Sequence, residues 1–252
     1  MGIVNLVPKI LNKILGKSPR CSAVIVAAGS STRMSGEDKL FIEIGDMPVL
    51  MHTLMAFQNS KRVFEIILAT REDILEIVSD LCEEFDISKV SKIIVGGATR
   101  AESVLNGVTA VSKKAALVAI HDAARPCVDG AVIEKTITKA EKNKAAAPGV
   151  PITSTIKRVK DGVILETTDR DDLVEIQTPQ VFDVTLIKGA LTRAIKNNIE
   201  ITDDCMAVEL LGVDVYITEG STNNIKLTCS EDIILAKAVL LMEDAHENRL
   251  WL

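Results

Sequence analysis

The feature that most limits what this chain can fold into is the alternation of short apolar runs with amphipathic stretches from Cys21 onward. The clearest amphipathic stretch extends from Ile74 to Phe85, where apolar residues recur at helical spacing. Near-continuous apolar strands that alternate with helices are typical of a parallel sheet covered on both faces. The sequence therefore predicts an α/β protein with a Rossmann-like, mostly parallel sheet, in which ligands bind at the carboxyl ends of the strands. The apolar runs occupy residues 23–26, 63–69, 92–95 and 117–120.

One segment departs from this alternation. Two β-rich runs, residues 155–159 and 163–167, flank Lys160, Asp161 and Gly162, and Asp-Gly between such runs is a strong hairpin signal. We therefore expect a protruding β-arm at about residues 150–175. Because two strands alone are marginally stable in water, the arm is expected to find cover in a second subunit, which predicts a homodimer.

The two ends of the chain carry helical patterns. Apolar residues recur at helical spacing within residues 1–20 while lysines occupy other positions, which predicts an appended amphipathic segment. We favour packing of this segment on its own domain or on a partner subunit over contact with an anionic membrane. Residues 21–252 are expected to form a single domain that ends in a helix, because residues 228–231 have the spacing of a capping box and precede an apolar run over residues 233–242.

The composition excludes several kinds of partner and site. A net charge of −6 and an aromatic content of 3% argue against a surface that binds nucleic acid. The five cysteines are scattered and form no C-x-x-C pair, so neither a disulfide framework nor a zinc site is expected. No apolar run approaches the roughly 18 residues of a membrane-spanning helix, and no secretory signal is visible, so we expect a cytoplasmic protein.

The loop after the first strand has the composition of a phosphate-binding turn. Ala28, Gly29 and Ser30 are small, so backbone N–H groups can approach a ligand closely, and a helix start would add its positive dipole. Arg33 and Lys39 supply positive charge. The loop is neither a Walker A motif nor G-x-G-x-x-G, and an ordinary strand-to-helix turn with surface cations is the alternative interpretation.

Two further loops carry chemistry. Gly97 belongs to a glycine pair that can present main-chain groups to a flat base, and Ser103 can add a hydroxyl, although such turns are also common without function. Asp122, at the carboxyl end of a strand, suits a Mg²⁺ ligand beside phosphates. Arg125 is either a binding residue or an ion-pair partner of Asp122, and His121 is interpreted as structural because no second histidine or nucleophile lies nearby in the sequence.

More cations and polar groups follow along the chain. In an acidic protein, cations gathered at strand ends are what a pocket for two phosphorylated ligands requires. These residues are Lys157 and Arg170 beside the predicted hairpin and the polar groups at residues 178–180, 202–204 and 223–226.

Together, these loops resemble those of the 2-C-methyl-D-erythritol 4-phosphate cytidylyltransferase family over roughly residues 21–242. The family uses CTP to make a CDP-activated sugar alcohol in the non-mevalonate isoprenoid pathway. All the motifs occur in the family's order, which is more specific than any one of them. They are Ala-Ala-Gly-Ser-Ser-Thr-Arg-Met at 27–34, Gly-Gly-Ala-Thr-Arg-Ala-Glu-Ser-Val at 96–104, His-Asp-Ala-Ala-Arg-Pro at 121–126, Thr-Pro-Gln-Val-Phe at 178–182, Thr-Asp-Asp at 202–204 and Asn-Ile-Lys-Leu-Thr at 224–228.

The resemblance implies a role for each matched residue. Arg33 and Lys39 would stabilise charge on the α-phosphate of CTP, whereas Arg170 and Lys226 would hold the phosphate of the second substrate. Mg²⁺ would bind at Asp122. Arg170 would come from the arm of the other subunit, so the active site would need a homodimer. The nucleotide would contact Ala28, Gly29, Ser30, Gly97, Arg100, Ser103 and Asp122, and the polyol phosphate would contact Arg125, Thr155, Thr178 and Thr202.

The chain also departs from the family pattern. Ser31 stands where the first loop has its second glycine, Asp38 and Leu40 flank Lys39 in place of proline and glutamine, and Asn223 stands where an acidic residue is common. Two alternative functions stay open. The protein is either a cytidylyltransferase for ribitol 5-phosphate or another polyol phosphate, or a nucleotide-binding homologue with impaired catalysis.

Overall fold

A computed structural model describes residues 20–29 and 38–249 of the chain. Except for Arg20, the predicted amphipathic segment lies outside these residues, as do Ser30, Ser31 and Arg33. The division between that segment and a single following domain stays a prediction. The strands of the described part are β1 Cys21–Val26, β2 Glu43–Ile44, β3 Met47–Pro48, β4 Val63–Thr70, β5 Val90–Val95, β6 Leu117–Asp122, β7 Ala145–Pro151, β8 Ile156–Lys160, β9 Val163–Thr168, β10 Val174–Ile176, β11 Gln180–Asp183 and β12 Tyr216–Glu219.

Helices separate most of these strands along the chain. A short 3₁₀ helix at Glu72–Ile74 precedes the helix that begins at Leu75. The helices are α1 Val49–Asn59, α2 Leu75–Glu84, α3 Arg100–Ala110, α4 Gly130–Asn143, α5 Val184–Lys196, α6 Asp204–Glu209 and α7 Ser230–Arg249.

An eight-stranded sheet forms the centre of the described part. Its strand order is β10-β7-β11-β6-β1-β4-β5, and β12 also pairs with β7. Strands β6, β1, β4 and β5 are mutually parallel, whereas β11 and β10 are antiparallel to their neighbours. The predicted α/β fold with a mostly parallel sheet is confirmed.

Side chains that alternate along β1 pack into two separate cores. Ala23 and Ile25 contact the core on the face covered by α1, α2 and α4. Val24 contacts the core on the opposite face, which is covered by α3, α5 and α6. Because burial of apolar surface on both faces is the main stabilising term, this arrangement explains why the strands read as continuous apolar runs.

The arm is the predicted hairpin. Strands β8 and β9 pair with each other in a sheet of their own. Asp161 and Gly162 connect them with φ angles of 49° and 78°, the left-handed conformation that a two-residue hairpin turn requires. Several apolar side chains of the arm are exposed: Val159, Val163, Ile164 and Leu165.

The predicted final helix is present, but its cap differs by one position. The carboxylate of Asp232, rather than that of Glu231, accepts hydrogen bonds from the main-chain N–H groups of Thr228 (2.6 Å) and Cys229 (2.9 Å). The two acidic residues are adjacent, so the spacing alone did not separate them. Within the described ranges, no helix has both the length and the apolar character needed to cross a membrane.

Candidate active site

A cavity of about 540 Å³ opens at the carboxyl edge of the parallel strands. The chain folds this way because β1, β4, β5 and β6 run in parallel, so the loops that follow them meet at one edge. Its lining includes predicted site residues from the loops after β1, β5 and β6 and from the segment at residues 223–226: Ala28, Gly29, Lys39, Gly97, Arg100, Ser103, Asp122 and Lys226. A second groove of about 380 Å³, between α2 and β5, contains none of the predicted site residues.

The base side of the cavity is built by close backbone packing. The hydroxyl of Ser103 accepts a hydrogen bond from the N–H of Gly97 (2.9 Å) and donates one to the carbonyl of Thr99 (2.9 Å). A Cβ atom on Gly97 would lie 2.3 Å from the Cβ of Glu102, so a side chain does not fit there. Thr99 also caps α3, because its side chain accepts from the N–H of Glu102 while the Glu102 carboxylate accepts from the N–H of Thr99. These contacts fix a bare main-chain surface at the start of α3.

Asp122 lies among positive side chains at the floor of the cavity. Its carboxylate is 2.8 Å from Nζ of Lys226, 3.3 Å from the Arg100 guanidinium and 3.8 Å from Nε of Arg125. Burial alone would raise the pKa of Asp122, but the charges of Arg100 and Lys226 hold it well below its usual range. Asp122 is therefore an ionised counter-ion, and it is the one acidic side chain among the described residues that line the cavity.

Arg100 is oriented by a residue to which the sequence analysis gave no role. The Arg100 guanidinium donates to both carboxylate oxygens of Asp204, at 3.0 and 2.9 Å, and Asp204 is fully buried. Asp204 is itself held by Gln180, whose side-chain oxygen accepts from the N–H groups of Asp204 (3.0 Å) and Cys205 (3.1 Å). Gln180 and Asp204 belong to the motifs at residues 178–182 and 202–204, but the sequence gives no indication that the two side chains lie together near Arg100.

The histidine beside Asp122 is structural, as predicted. His121 is fully buried, and burial lowers its pKa to about 4, so the ring is neutral. Nε2 lies 3.3 Å from the carbonyl oxygen of Arg125, which can only accept, so Nε2 carries the proton. Nδ1 then accepts from the hydroxyl of Thr178 (2.9 Å), whose oxygen accepts from the N–H of Asp122 (3.3 Å). Thr178 is thus buried below the cavity, and its direct contact with a substrate stays a prediction.

The segment that carries Lys226 is tied to the cavity on both sides. The Asn224 carbonyl accepts from the Arg125 guanidinium (2.6 Å), and the Asn224 side chain donates to the carbonyl of Thr178 (2.8 Å). On the other side, Nζ of Lys39 donates to the carbonyl of Leu227 (2.9 Å). Arg125 is buried by these contacts and forms the ion pair with Asp122 that the sequence analysis considered.

The model of the IspD family, 2-C-methyl-D-erythritol 4-phosphate cytidylyltransferase, matches residues 21–242. The chain belongs to this family. A relative of that name from Clostridium botulinum (strain ATCC 19397 / Type A) is 42% identical over 221 residues, covering 87% of this chain and 96% of the relative. One from Halalkalibacterium halodurans is 42% identical over 220 residues with the same coverage, 87% and 96%.

Solved structures of this family share the fold. The 4-diphosphocytidyl-2C-methyl-D-erythritol synthase from Anaerococcus prevotii DSM 20548 aligns with a TM-score of 0.79 and 34% identity, over 89% of this chain and 99% of that one. A 2-C-methyl-D-erythritol 4-phosphate cytidylyltransferase from Thermus thermophilus aligns with a TM-score of 0.73 and 28% identity, over 87% and 98% of the two chains. The predicted family is confirmed, and so is the prediction that the protein is a nucleotidyltransferase.

Some residues that the family resemblance implicates do not line the cavity. Arg170 and Thr155 lie at the exposed arm, where the Arg170 guanidinium donates to the carbonyl of Thr153. Thr202 is exposed near α6, with its hydroxyl 3.7 Å from Sδ of Met206. Their roles in substrate binding stay predictions, as do those of Ser30 and Arg33, which lie outside the described residues.

Proposed function

We propose that the protein transfers the cytidylyl group of CTP to 2-C-methyl-D-erythritol 4-phosphate and releases pyrophosphate. The observation that carries this proposal is the cavity of a family member, which Lys39, Arg100 and Lys226 line together with a single carboxylate and the bare main-chain surface at Gly97. Such a site attracts polyanions, and it holds little acidic charge that would repel them.

The reaction forms one bond and breaks one. A phosphate oxygen of the sugar alcohol attacks the α-phosphorus of CTP, and the bond from that phosphorus to the bridging oxygen breaks, so pyrophosphate leaves with the electron pair. The second pKa of a phosphate monoester is about 6, so the attacking oxygen is already deprotonated at neutral pH. No general base is needed, which agrees with the neutral, buried state of His121.

The protein's part is therefore positioning and charge stabilisation. Lys39 would neutralise charge that develops at the α-phosphate, and Lys226 would exchange its contact with Asp122 for one with a phosphate. The main-chain groups around Gly97 and Ser103 would hold the cytosine. Bringing two anions together in a fixed geometry supplies much of the rate enhancement in phosphoryl transfer.

We also propose that Mg²⁺ accompanies CTP. No group of three or more metal-ligating side chains occurs among residues 20–29 and 38–249, and within those ranges the cavity lining offers a single carboxylate, that of Asp122. This donor set fits Mg²⁺, which commonly binds through one or two carboxylates together with substrate phosphates and water. The ion, when bound, would neutralise phosphate charge.

The arm suggests that the active enzyme is a homodimer. Arg170 is exposed beside a hairpin whose apolar side chains are uncovered in one chain, and a second copy would bury them while bringing Arg170 to its cavity. The free cysteines fit a reducing compartment, and we propose that the protein acts in the cytoplasm.

Pyrophosphate release tests the proposed reaction. With CTP held constant, we expect the highest kcat/KM for 2-C-methyl-D-erythritol 4-phosphate in a panel that includes ribitol 5-phosphate and other polyol phosphates. A preference for ribitol 5-phosphate would favour the first alternative function. CTP binding by calorimetry without pyrophosphate release from any member of the panel would favour the second.

A further inference from the structure

Arg71 joins the two ends of the phosphate-binding loop. It directly follows β4, whose carboxyl end lies beside that of β1 because Val26 pairs with Ala69. The Arg71 guanidinium donates to the carboxylate of Asp38 (2.5 Å) and to the carbonyl of Gly29 (3.3 Å). Gly29 and Asp38 are the residues on either side of residues 30–37. The Arg71 side chain therefore contacts both the residue before the segment 30–37 and the residue after it.

The same carboxylate organises the turn that contains Lys39. Its second oxygen accepts from the N–H of Leu40 (3.1 Å), and the Asp38 carbonyl accepts from the N–H of Phe41 (2.9 Å). Lys39 lies inside this turn, and its Nζ reaches the cavity. The contacts of Asp38 thus hold the backbone of the turn from which the Lys39 side chain extends.

This arrangement gives a physical reason for a departure from the family pattern. Proline, the residue that the family resemblance leads one to expect at position 38, restricts the backbone by fixing φ. Asp38 has no such restriction, but its contact with Arg71 restrains the same position from outside. The side chains are only 18% and 25% exposed, so solvent screens their attraction less than that of a fully exposed pair.

We propose that Arg71 and Asp38 form a clamp that positions Lys39 and the ends of the phosphate-binding loop for the triphosphate of CTP. The proposal rests on the proposed function, and Arg71 is a positioning residue. Arginine suits this place because two separate guanidinium nitrogens each reach a different acceptor, whereas a lysine offers a single nitrogen. Preorganised loop ends reduce the ordering that CTP must otherwise impose.

Two single variants and their combination test the clamp. Asp38→Asn keeps an acceptor for the N–H of Leu40 and removes the ion pair, whereas Arg71→Lys keeps the charge and loses the double contact. We expect each to lower kcat/KM for CTP by about tenfold, with the KM for the polyol phosphate changed less than twofold. Because both act through one clamp, the double variant is expected to resemble either single variant.

Asp73→Asn is the matched control. Asp73 also contacts Arg71, at 3.2 Å, but it is 68% exposed and touches neither end of the loop. Its removal is expected to leave kcat/KM for CTP within twofold. Multiplicative losses in the double variant, an equal rise in KM for both substrates, or a similar loss in Asp73→Asn would overturn the clamp.

Binding of CTP by calorimetry separates this proposal from the proposed function. A wild-type protein that binds CTP without releasing pyrophosphate would contradict the proposed function only. In that case the clamp still predicts about tenfold weaker CTP binding in Asp38→Asn, and unchanged binding would overturn it.

Discussion

The cavity and the arm differ in whether their side chains find partners within the same chain. At the cavity, the charged lining residues of the described part, Lys39, Arg100, Asp122 and Lys226, all contact partners in the same chain. On the arm, apolar side chains such as Ile164 (61% exposed) lack cover within the described part of the chain. The cavity is thus organised within one chain, whereas the arm exposes the apolar surface that the proposed homodimer would cover.

The largest expected effect lies on the nucleotide side. Lys39→Ala removes a cation that lines the cavity and is expected to lower turnover by about 10²–10³-fold. Thermal unfolding should change little, because the hydrogen bond from Lys39 to the carbonyl of Leu227 contributes only about 1 kcal/mol. Arg33→Ala, at a position implicated by sequence, is expected to act in the same direction.

Lys92→Ala is the matched control for Lys39. Nζ of Lys92 also donates to a main-chain carbonyl, that of Ala110 (2.6 Å), but Lys92 does not line the cavity. Pyrophosphate release should stay near the wild-type rate. Near-normal turnover in Lys39→Ala would contradict the proposed role of the cavity cations.

The next effect concerns stability. Asp204→Asn leaves Arg100 without its fully buried counter-ion, and breaking such a pair commonly lowers the free energy of unfolding by about 3–5 kcal/mol. We expect about 2–3 kcal/mol, because the Arg100 side chain is 31% exposed and can regain water. Denaturant unfolding measures the change.

The control for Asp204 is Glu219→Gln. Glu219 pairs with Lys135 at 2.7 Å, but both side chains are largely exposed. Exposed pairs contribute at most about 1 kcal/mol, so this variant should unfold like the wild type. Equal stability of Asp204→Asn and Glu219→Gln would show that the buried pair contributes no more to the free energy of unfolding than the exposed pair does.

The arm is tested by a shared-site experiment. Arg170→Ala is expected to lower kcat/KM for the polyol phosphate by about ten- to a hundredfold. If the arm of one subunit serves the cavity of the other, mixing Arg170→Ala with Lys39→Ala should create one intact site in each mixed dimer. Random subunit exchange should then restore about a quarter of wild-type turnover. No recovery in verified mixed dimers would place Arg170 outside the neighbouring site.

The smallest effect is expected for the exposed apolar surface of the arm. Ile164→Ser should weaken dimerisation by about tenfold, measured by sedimentation, because the lost burial is comparable with about 1.4 kcal/mol. Ile234→Ser changes an equally exposed residue on α7 (69%) and should leave the dissociation constant unchanged. Similar association in all three proteins would argue against the arm as the interface.

Local sequence patterns were sufficient to predict the elements whose signals lie within a few consecutive residues. The apolar runs predicted β1, β4, β5 and β6, and Asp161-Gly162 predicted the hairpin, because these signals act over a few residues. β7 escaped prediction because Ala145–Pro151 lacks most of the β-branched residues typical of strands. Neighbouring strands impose its conformation, and Ala145, Ala146 and Ala147 are fully buried between them.

The site was only partly predictable for a similar reason. The loops after β1, β5 and β6 could be located, since parallel strands bring them to one edge. The pair of Arg100 and Asp204 joins residues 104 positions apart, and Asn224 reaches Thr178 across 46 positions. Such partners depend on tertiary packing, and motif order alone does not reveal them.

Asp122 has a consequence for how a substrate phosphate would bind. The carboxylate contacts cations from three separate segments, much as a phosphate would, and these contacts keep the side chains in place. A substrate phosphate that binds Lys226 would have to compete with the Asp122 carboxylate for it. Under the proposed function, replacing the Asp122 contact would cost some affinity for the phosphate, while the preset position of the lysine would reduce the reorganisation that binding requires.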